Sequence, residues 1–179
     1  MTYEIIRSRR RTLAMEITPR GLVVRAPWAA STAQIEAFVT SHQKWVEKHL
    51  ARLEERPQAE KLTVEELREL ARRAVEVIPP RVAHYAPLVG VSYGRITIRS
   101  QRTKWGSCSG KGNLNFNCLL MLAPTEVTDS VVVHELCHRK EMNHSDRFYR
   151  EVLRVFPDYW KWDRWLKDHG RELMERLPE

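Results

Sequence analysis

The sequence predicts an α+β fold, in which a small mixed β-sheet is combined with several helices, and three observations lead to this prediction. Residues 3–27 have the short apolar runs and turn residues that are typical of β-strands. Amphipathic segments with helical periodicity follow this region. The second half has further short strand patterns and then the stretch H-E-L-C-H at residues 134–138, which needs a helix to place both histidines on one side.

The N-terminal region predicts a β-hairpin and one long helix. Residues 16–24 contain two strand patterns around a Pro-Arg-Gly turn at residues 19–21. Ser31 is a suitable N-cap for a helix from about Thr32 to Glu55, and Pro57 ends that helix. Its predicted apolar side consists of Ile35, Phe38, Val39, Trp45, Val46 and Leu53.

The middle of the chain predicts two more helices and two more strands. A helix from about Val64 to Val77 stops at the Pro79-Pro80 pair, because proline removes an amide donor and clashes with the preceding turn. A short helix then covers Arg81–Leu88. Residues 93–100 alternate in strand fashion, and residues 113–121 predict another strand.

The helix that carries residues 134–138 is predicted to begin with Thr128 or Asp129 as its N-cap. The three valines at residues 131–133 are poor helix formers, so packing must hold this helix in place. We expect it to end near Asn143, because asparagine tolerates the left-handed conformation that stops a helix.

Two helices complete the predicted fold. One lies near Ser145–Val155, and the last one starts after Pro157. The last helix carries Trp160, Trp162 and Trp165, which we expect to pack against the rest of the domain.

The H-E-L-C-H stretch has the residue types and spacing of a metal-dependent hydrolase. His134 and His138 present two imidazoles from one side of the helix, and Glu135 lies about 100° round the helix from His134, close enough to hold a water on the ion. A third histidine, His144, reaches the same site only if the chain reverses after the helix. Two His ligands with an adjacent carboxylate are typical of a zinc hydrolase.

Four longer sequence blocks surround these residues. They read R-T-K-W-G-S-C-S at 102–109, G-N-L-N at 112–115, V-V-H-E-L-C-H at 132–138 and M-N-H-S-D-R-F-Y at 142–149. The blocks resemble the YgjP-like metal-dependent hydrolases, which are zincin-type domains akin to the SprT-like metalloproteases. The resemblance covers nearly the whole chain, loosely in its first half.

The resemblance implies a zincin-like catalytic domain, with zinc (Zn2+) held by His134, His138 and His144 and with Glu135 as the general base. Members of this family are usually metallopeptidases, and some are described as nucleotide hydrolases acting on UTP. The resemblance therefore implies the metal site more firmly than the substrate. Residues 113–121 precede the metal-site helix, and in zincins that position commonly belongs to an edge strand that an extended peptide can join.

Hydrolysis also needs a cation or hydrogen-bond donor where negative charge develops. We favour Arg102 and Lys104 as further catalytic residues, because both belong to the first of the four blocks. Loop solvation or a structural ion pair is the alternative role for both. The other candidates that the sequence offers are Asn143 and Tyr149.

Composition indicates a soluble globular protein that works inside the cell. The 179 residues are 42% hydrophobic and 30% charged, with a net charge of +7. Three cysteines argue against a disulfide framework: Cys137 is expected as a buried apolar group, and Cys108 could approach the metal. No signal-peptide pattern is present, and the longest apolar stretch, residues 118–124, is too short to span a membrane. We therefore expect a cytoplasmic location and no membrane partner.

The basic residues of the N-terminal region allow contact with phosphates. Arg7, Arg9 and Arg11 would share one face of a strand, where they could meet a nucleic acid, although a solvated face is the more usual role of such a cluster. Without a recognisable DNA-reading motif, nucleic acid is a possible partner that we do not expect.

The predicted organisation is an N-terminal appendage of hairpin and helix over residues 1–60 and a zincin-like hydrolase domain over residues 61–179, and we expect the two parts to form one compact unit overall. The leading hypothesis for function is a zinc-dependent metallopeptidase acting on a peptide or unfolded protein. The first alternative is a metal-dependent nucleoside triphosphate (UTP) pyrophosphatase, and the second is a nucleic-acid-associated protease. In the nucleotide alternative, the triphosphate would be bound by Arg95, Arg99, Arg102 and Lys104.

Overall fold

A computed structural model describes residues 2–18, 21–54 and 59–178, without the side chains of residues 52–54. The chain divides into two compact units, Met1–Gln58 and Ala59–Glu179. The described residues form helices and two small mixed sheets, so the predicted α+β class is confirmed.

The first unit contains a three-stranded sheet. Strands β1 (Tyr3–Ser8), β2 (Ala14–Thr18) and β3 (Gly21–Pro27) lie in the order β1-β3-β2. β2 and β3 are antiparallel and form the expected hairpin, while β1 joins β3 in parallel. Pro19 and Arg20 of the predicted turn lie outside the described residues.

The predicted long helix over residues 32–55 is wrong, because the structure has two helices, α1 (Thr32–Ser41) and α2 (Gln43–Glu54). Ser31 caps α1 as predicted. The break lies at His42, whose ring nitrogen Nδ1 shares the Phe38 carbonyl with the hydroxyl of Ser41. Side chains that bond to a backbone carbonyl in this way compete with continuation of the helix.

The predicted apolar side of this helical region is only partly correct. Ile35, Val39 and Val46 are buried, whereas Trp45 is 39% exposed. The side chain of Leu53, the end of the helix at Glu55 and its stop at Pro57 lie outside what the structure describes.

The basic residues at the N-terminus do not share a strand face, so that prediction is wrong. Only Arg7 lies in β1, which ends at Ser8, while Arg9 and Arg11 follow it. The Arg7 guanidinium donates hydrogen bonds to the main-chain carbonyls of residues 27, 28 and 30. This arginine therefore connects β1 to the chain that follows β3 and does not serve as an open phosphate contact.

The second unit begins with one continuous helix, α3 (Val64–Val89), and the predicted break at Pro79-Pro80 is wrong. Its buried stripe of Leu70, Ala74, Ile78, Val82, Ala86 and Val89 packs into the main core. The carbonyls that lose their partners to the two prolines belong to Val75 and Glu76, which lie on the exposed side of the helix. Water can satisfy those carbonyls, so core packing outweighs the local preference.

The second sheet consists of β4 (Ile96–Arg99), β5 (Gly106–Cys108) and β6 (Leu114–Asn117), in the order β4-β6-β5. β6 is parallel to β4 and antiparallel to β5. The predicted strand over residues 113–121 is too long, because a 3₁₀ helix covers Cys118–Leu122. β6 is also the central strand and not an edge, since β5, for which the sequence predicted no strand, pairs with its other side.

Buried Asn117 explains why the strand stops. Its side-chain oxygen accepts a hydrogen bond from the Leu119 amide and so caps the 3₁₀ helix. Its side-chain amide donates to the carbonyls of Gln101 and Lys104, which fixes the loop between β4 and β5.

Three helices complete the second unit: α4 (Thr125–Cys137), α5 (Asp146–Val155) and α6 (Tyr159–Glu175). α5 and α6 agree with the predictions for residues 145–155 and for the chain after Pro157. α4 starts three residues before the predicted caps, so Thr128 and Asp129 lie inside it. In α6, two of the three tryptophans pack against the core as expected, and Trp160 remains 47% exposed. In the part of the chain that the structure describes, no helix combines the length and hydrophobicity of a membrane span.

Replacement of Pro80 by alanine tests the continuity of α3. We expect Pro80→Ala to raise the free energy of unfolding by about 1–3 kcal/mol, because it restores an amide donor in the helix interior. Pro157→Ala, in a loop, should instead lose a few tenths to about 1 kcal/mol through the greater freedom of the unfolded chain. Chemical denaturation of both variants measures the two effects. A helix that stopped at residue 79 in solution would give no gain for Pro80→Ala.

Candidate metal centre

The C-terminal end of α4 brings together the residues that the sequence singled out. His134 and Glu135 lie in its last turn, and His138 is the C-cap. The helix therefore ends earlier than the predicted end near Asn143. The described residues include no non-glycine residue with positive φ, so the expected left-handed asparagine is also wrong. The chain instead leaves the helix in a tight turn, in which the amides of Lys140 and Glu141 both donate to the carbonyl of residue 137.

The turn after α4 returns His144 to the other two histidines. The Nε2 atom of His134 lies 3.2 Å from Nε2 of His138 and 3.0 Å from Nε2 of His144. The ligand atoms of the three residues all lie within 4.8 Å of one another. Zinc with Zn–N bonds of about 2.05 Å in a tetrahedron needs nitrogens about 3.3 Å apart. The two distances from His134 therefore fit a tetrahedral metal site, in which three imidazoles would leave one position for water.

A single aromatic ring supports all three imidazoles. Phe148 is fully buried, and its ring centroid lies 4.9 Å from that of His134, 4.6 Å from that of His138 and 4.9 Å from that of His144. Phe148 belongs to the first turn of α5, whose N-cap Ser145 accepts a hydrogen bond from the Phe148 amide. The cap thus fixes both His144, one residue before it, and the ring beneath the cluster.

The ring nitrogens that face away from the cluster are held by hydrogen bonds. Nδ1 of His138 lies 3.0 Å from the carbonyl oxygen of Glu141, so this nitrogen carries the proton and Nε2 keeps its lone pair. Nδ1 of His134 lies 2.9 Å from the hydroxyl of Tyr159. Both outer partners orient the imidazoles, and the Glu141 carbonyl also fixes the His138 tautomer that can bind a metal through Nε2.

Burial keeps His134 and His138 neutral. Burial, followed by the charges of His138 and His144, lowers the pKa of His134 to about 3. Burial also lowers the pKa of His138, against a smaller opposing effect of the Glu141 carbonyl. Neutral imidazoles are the form that binds metal, so these two histidines are ready for an ion at neutral pH.

Glu135 lies beside the cluster in a nearly closed environment. It is 5% exposed, and burial raises the pKa of its carboxyl to about 8, with the charge of Lys104 acting in the opposite direction. β5 passes directly over it at Gly106. A Cβ atom at Gly106 would lie 2.6 Å from Oε1 and 2.7 Å from Cγ of Glu135. Only glycine allows this approach, which explains the glycine in the W-G-S block.

A cavity of about 200 Å³ opens next to Glu135 and His134. Residues 104–106 line one side of it, α4 contributes Ser130 and Val131, and α6 contributes Tyr159, Asp163 and Leu166. The structure thus places Lys104 at the candidate site. Arg102 does not line this cavity, and its guanidinium donates a hydrogen bond to the carbonyl of Pro178.

The two cysteines near the site lie outside the ligand cluster. The metal-ligating cluster found in the described part of the chain consists of His134, His138 and His144. The Cys108 thiol donates to the carbonyl of the next residue, and burial raises its pKa. Cys137 is fully buried, as the sequence predicts for a small apolar group.

Sequence reasoning missed three residues that shape the site: Phe148, Tyr159 and Gly106. Phe148 could have been found from its place four residues after His144, which puts it in the first turn of a capped helix. Tyr159 and Gly106 come from segments far away in the sequence. No local pattern marks Tyr159, and the W-G-S block that contains Gly106 does not indicate its contact with Glu135.

Comparisons with known proteins identify a family and two similar solved structures. A family model described as a YgjP-like metallopeptidase domain matches residues 11–70 and 63–169. The solved zymogen of the metallopeptidase abylysin from Pyrococcus abyssi is 26% identical over 52% of this chain and 96% of that chain, with a TM-score of 0.47. The zymogen of jannalysin from Methanocaldococcus jannaschii is 20% identical over 52% of this chain and 96% of that chain, with a TM-score of 0.46. No curated protein matches the chain.

His144→Ala tests the third ligand. We expect zinc affinity to fall by more than the roughly 10–100-fold that loss of an outer partner costs, because one of three protein ligands is removed. His84→Ala, at an exposed histidine of α3, is the matched control. Metal analysis after dialysis against a chelator measures both. Equal zinc content in the two variants would exclude His144 as a ligand.

Tyr159→Phe tests the outer hydrogen bond. Loss of the hydroxyl should weaken zinc binding by about 10–100-fold while the chain stays folded, because His134 loses the partner that orients its ring. Tyr149→Phe removes a hydroxyl from the neighbouring helix and should change the affinity little. Competition with a chromogenic chelator gives both affinities, and similar values for the two variants would contradict the prediction.

Gly106→Ala tests the close approach of β5 to Glu135. The added methyl group overlaps the buried carboxyl, so we expect a loss of about 1–3 kcal/mol in the free energy of unfolding. Gly110→Ala is the control, because a Cβ atom there meets nothing within 4 Å. Its stability should stay within about 1 kcal/mol of the starting protein or rise slightly. Equal free energies of unfolding for Gly106→Ala and Gly110→Ala would show that Glu135 moves aside without cost.

Proposed function

The chain belongs to the YgjP-like metallopeptidase family, and on this premise we propose that it is a zinc-dependent peptidase. In this proposal His134, His138 and His144 hold the ion, and Glu135 is the general base. The observation that carries the proposal is the buried carboxyl of Glu135 beside three imidazoles, in which Nε2 of His134 lies 3.2 and 3.0 Å from the Nε2 atoms of His138 and His144.

Zinc at this site would lower the pKa of a bound water toward about 7 and polarise the carbonyl of the substrate. Glu135 accepts the proton of the attacking water and passes it to the departing amine. Its buried position supports this role, because the raised pKa makes the carboxylate a stronger proton acceptor than an exposed glutamate. The charge of a bound dication in turn favours the ionised form that can act as the base.

Lys104 is the residue that we propose for the developing negative charge. It lines the cavity that contains Glu135, and its positive charge is felt at that carboxyl. Arg102 shared this role in the sequence analysis, but its bond to the Pro178 carbonyl turns it to the C-terminal segment. We therefore propose a structural role for Arg102 and a catalytic one for Lys104.

The substrate is proposed to be an extended peptide that pairs with β5. This strand lies at an edge of the second sheet and packs against α4, whereas β6, the strand first expected in this role, is central. An extended chain beside β5 passes over Glu135 and the three histidines. The neighbouring cavity has the apolar side chains of Trp105, Val131 and Leu166 in its walls and can take one side chain of the peptide.

The nucleotide alternative lacks a common site for the four basic residues assigned to it. Arg95 and Arg99 line a separate groove, Lys104 lines the cavity beside Glu135, and Arg102 lines neither. The nucleic-acid alternative depended on a strand face shared by the N-terminal arginines, and these arginines do not share one. Peptide hydrolysis is therefore the function that we favour, and the cytoplasmic location stays a prediction.

Glu135→Gln, compared with the starting protein, tests the proposal. Zinc-loaded protein should cleave an unfolded casein-like substrate, and the variant should keep its zinc and lose activity by about 10²–10⁴-fold. The four ribonucleoside triphosphates are assayed side by side for pyrophosphate release. Nucleotide turnover that disappears in the variant, without peptide cleavage, would replace the proposal by the pyrophosphatase alternative. Full peptidase activity in the variant would remove Glu135 as the base.

A further inference from the structure

The second sheet has a free edge on the side away from β5. β4 pairs with β6 only, in the part of the sheet that the structure describes. The Leu114 amide donates to the Arg95 carbonyl, and Ile96 is level with Leu114 in a parallel pair. By the alternation of parallel strands, the main chain of Ile96 and Ile98 therefore faces away from β6. This edge presents two amides and two carbonyls for another strand.

A groove of about 580 Å³ runs along this edge. Residues 95–100 form one side of it, and Leu67, Ala71 and Val75 of α3 form the other. These three helix residues follow one another at intervals of four, so they line one flank of α3. Val75 is 59% exposed, and Val64, further along the same helix, is 60% exposed. The groove thus has an open strand edge on one side and an apolar helix flank on the other.

The charged side chains that line the groove are all positive. Arg95 directly precedes β4 and Arg99 is its last residue, so the alternation of side chains puts both on the face of Thr97, opposite to Ile96 and Ile98, and both arginines are exposed. Among the described residues, neither arginine makes an ion pair, and the groove has no acidic side chain in its lining. An occupant with carboxylates at the matching positions would supply the missing charge.

We propose that this groove is a docking site for an extended polypeptide segment in which apolar and acidic residues alternate. The segment adds to β4 as a fourth strand, with main-chain hydrogen bonds to Ile96 and Ile98. Its side chains point alternately to the two faces of the sheet. Those on the inner face pack against Leu67, Ala71 and Val75, and those on the outer face pair with Arg95 and Arg99.

The docking site is separate from the metal centre. β4 and β5 are the two opposite edges of a three-stranded sheet, so about 9–10 Å of sheet separates the two docking strands. A protein could occupy the β4 edge while another segment lies at β5. The proposal does not depend on peptide hydrolysis, and a failure of one leaves the other open to test.

The probe is a capped, fluorescein-labelled peptide of seven residues that alternates valine and glutamate. Binding is measured by fluorescence anisotropy to the full-length, zinc-loaded Glu135→Gln protein, in which no cleavage interferes. A peptide with lysine in place of glutamate should bind at least about tenfold more weakly, because it brings like charges to the arginines. Binding of the glutamate peptide should also weaken as salt is raised.

Two kinds of variant separate charge from strand pairing. Arg95→Glu with Arg99→Glu should weaken binding by about tenfold or more, while Arg68→Glu with Arg164→Glu, at exposed positions outside the groove, should not. Ile98→Pro removes an outward amide at a position where an edge strand tolerates proline, and it should abolish binding. Ile98→Val keeps the amide and should bind normally. Thermal unfolding checks that each variant folds. If Ile98→Pro does not fold, the double variant of Arg95 and Arg99 still decides the question.

Several results would overturn the proposal. One is equal binding of the glutamate and lysine peptides, and another is binding that is unchanged by the Arg95 and Arg99 reversals. Binding that survives Ile98→Pro in a folded protein would exclude strand addition. A single-stranded oligonucleotide that binds through the two arginines, when the peptide does not, would assign the groove to nucleic-acid phosphates instead.

Discussion

The burial of α4 on almost every side is the constraint around which the second unit is built. Ten of its thirteen residues are buried, and its middle is a run of three valines that favours strands over helices. Such a helix is stable only when other elements cover it. α3, α5, α6 and β5 all pack against it, and in doing so they carry Phe148, Tyr159 and Gly106 to the histidines at its end. The elements that cover α4 and form the core are therefore the same elements that shape the candidate metal centre.

Burial on this scale also requires partners for the polar groups of α4. Asp129 pairs with Arg81 of α3 at 2.5 Å, and the hydroxyls of Thr128 and Ser130 donate to the carbonyls of Leu120 and Val127. A buried polar group without a partner costs about 1–3 kcal/mol, so these bonds fix the rotation of the helix as well as its position. Rotation decides which side chains face the site. The carboxyl of Glu135 instead lines the cavity beside His134, where it is available for chemistry.

The sequence predicted those parts that depend on short-range patterns. The spacing of His134 and His138, the Ser31 cap and the last two helices follow from residues three to ten positions apart. The predictions failed where packing over a longer range decides the outcome. α3 continues through Pro79 because its buried stripe outweighs two lost hydrogen bonds, and β6 is central because three residues after Trp105 form an unforeseen strand.

The candidate site also divides into parts that short-range patterns predict and parts that depend on distant contacts. The three histidines and Glu135 lie within eleven consecutive residues, and a local motif identifies them. Their supports come from β5 and α6, and a pattern in one sequence gives no sign of such distant contacts. The edge available to a peptide was misassigned for the same reason, since strand order is a property of the whole sheet.

The compactness of the ligand set along the chain has a consequence for how the protein reaches its native state. Closing a loop of about ten residues costs little entropy and takes about 10–100 ns, whereas contacts between distant segments form later. An ion can therefore be captured by residues 134–144 before Tyr159 and β5 arrive. Metal would then act as a nucleus for the turn after α4. The parts of the site nearest to the ion would form first, and the more distant ones would follow.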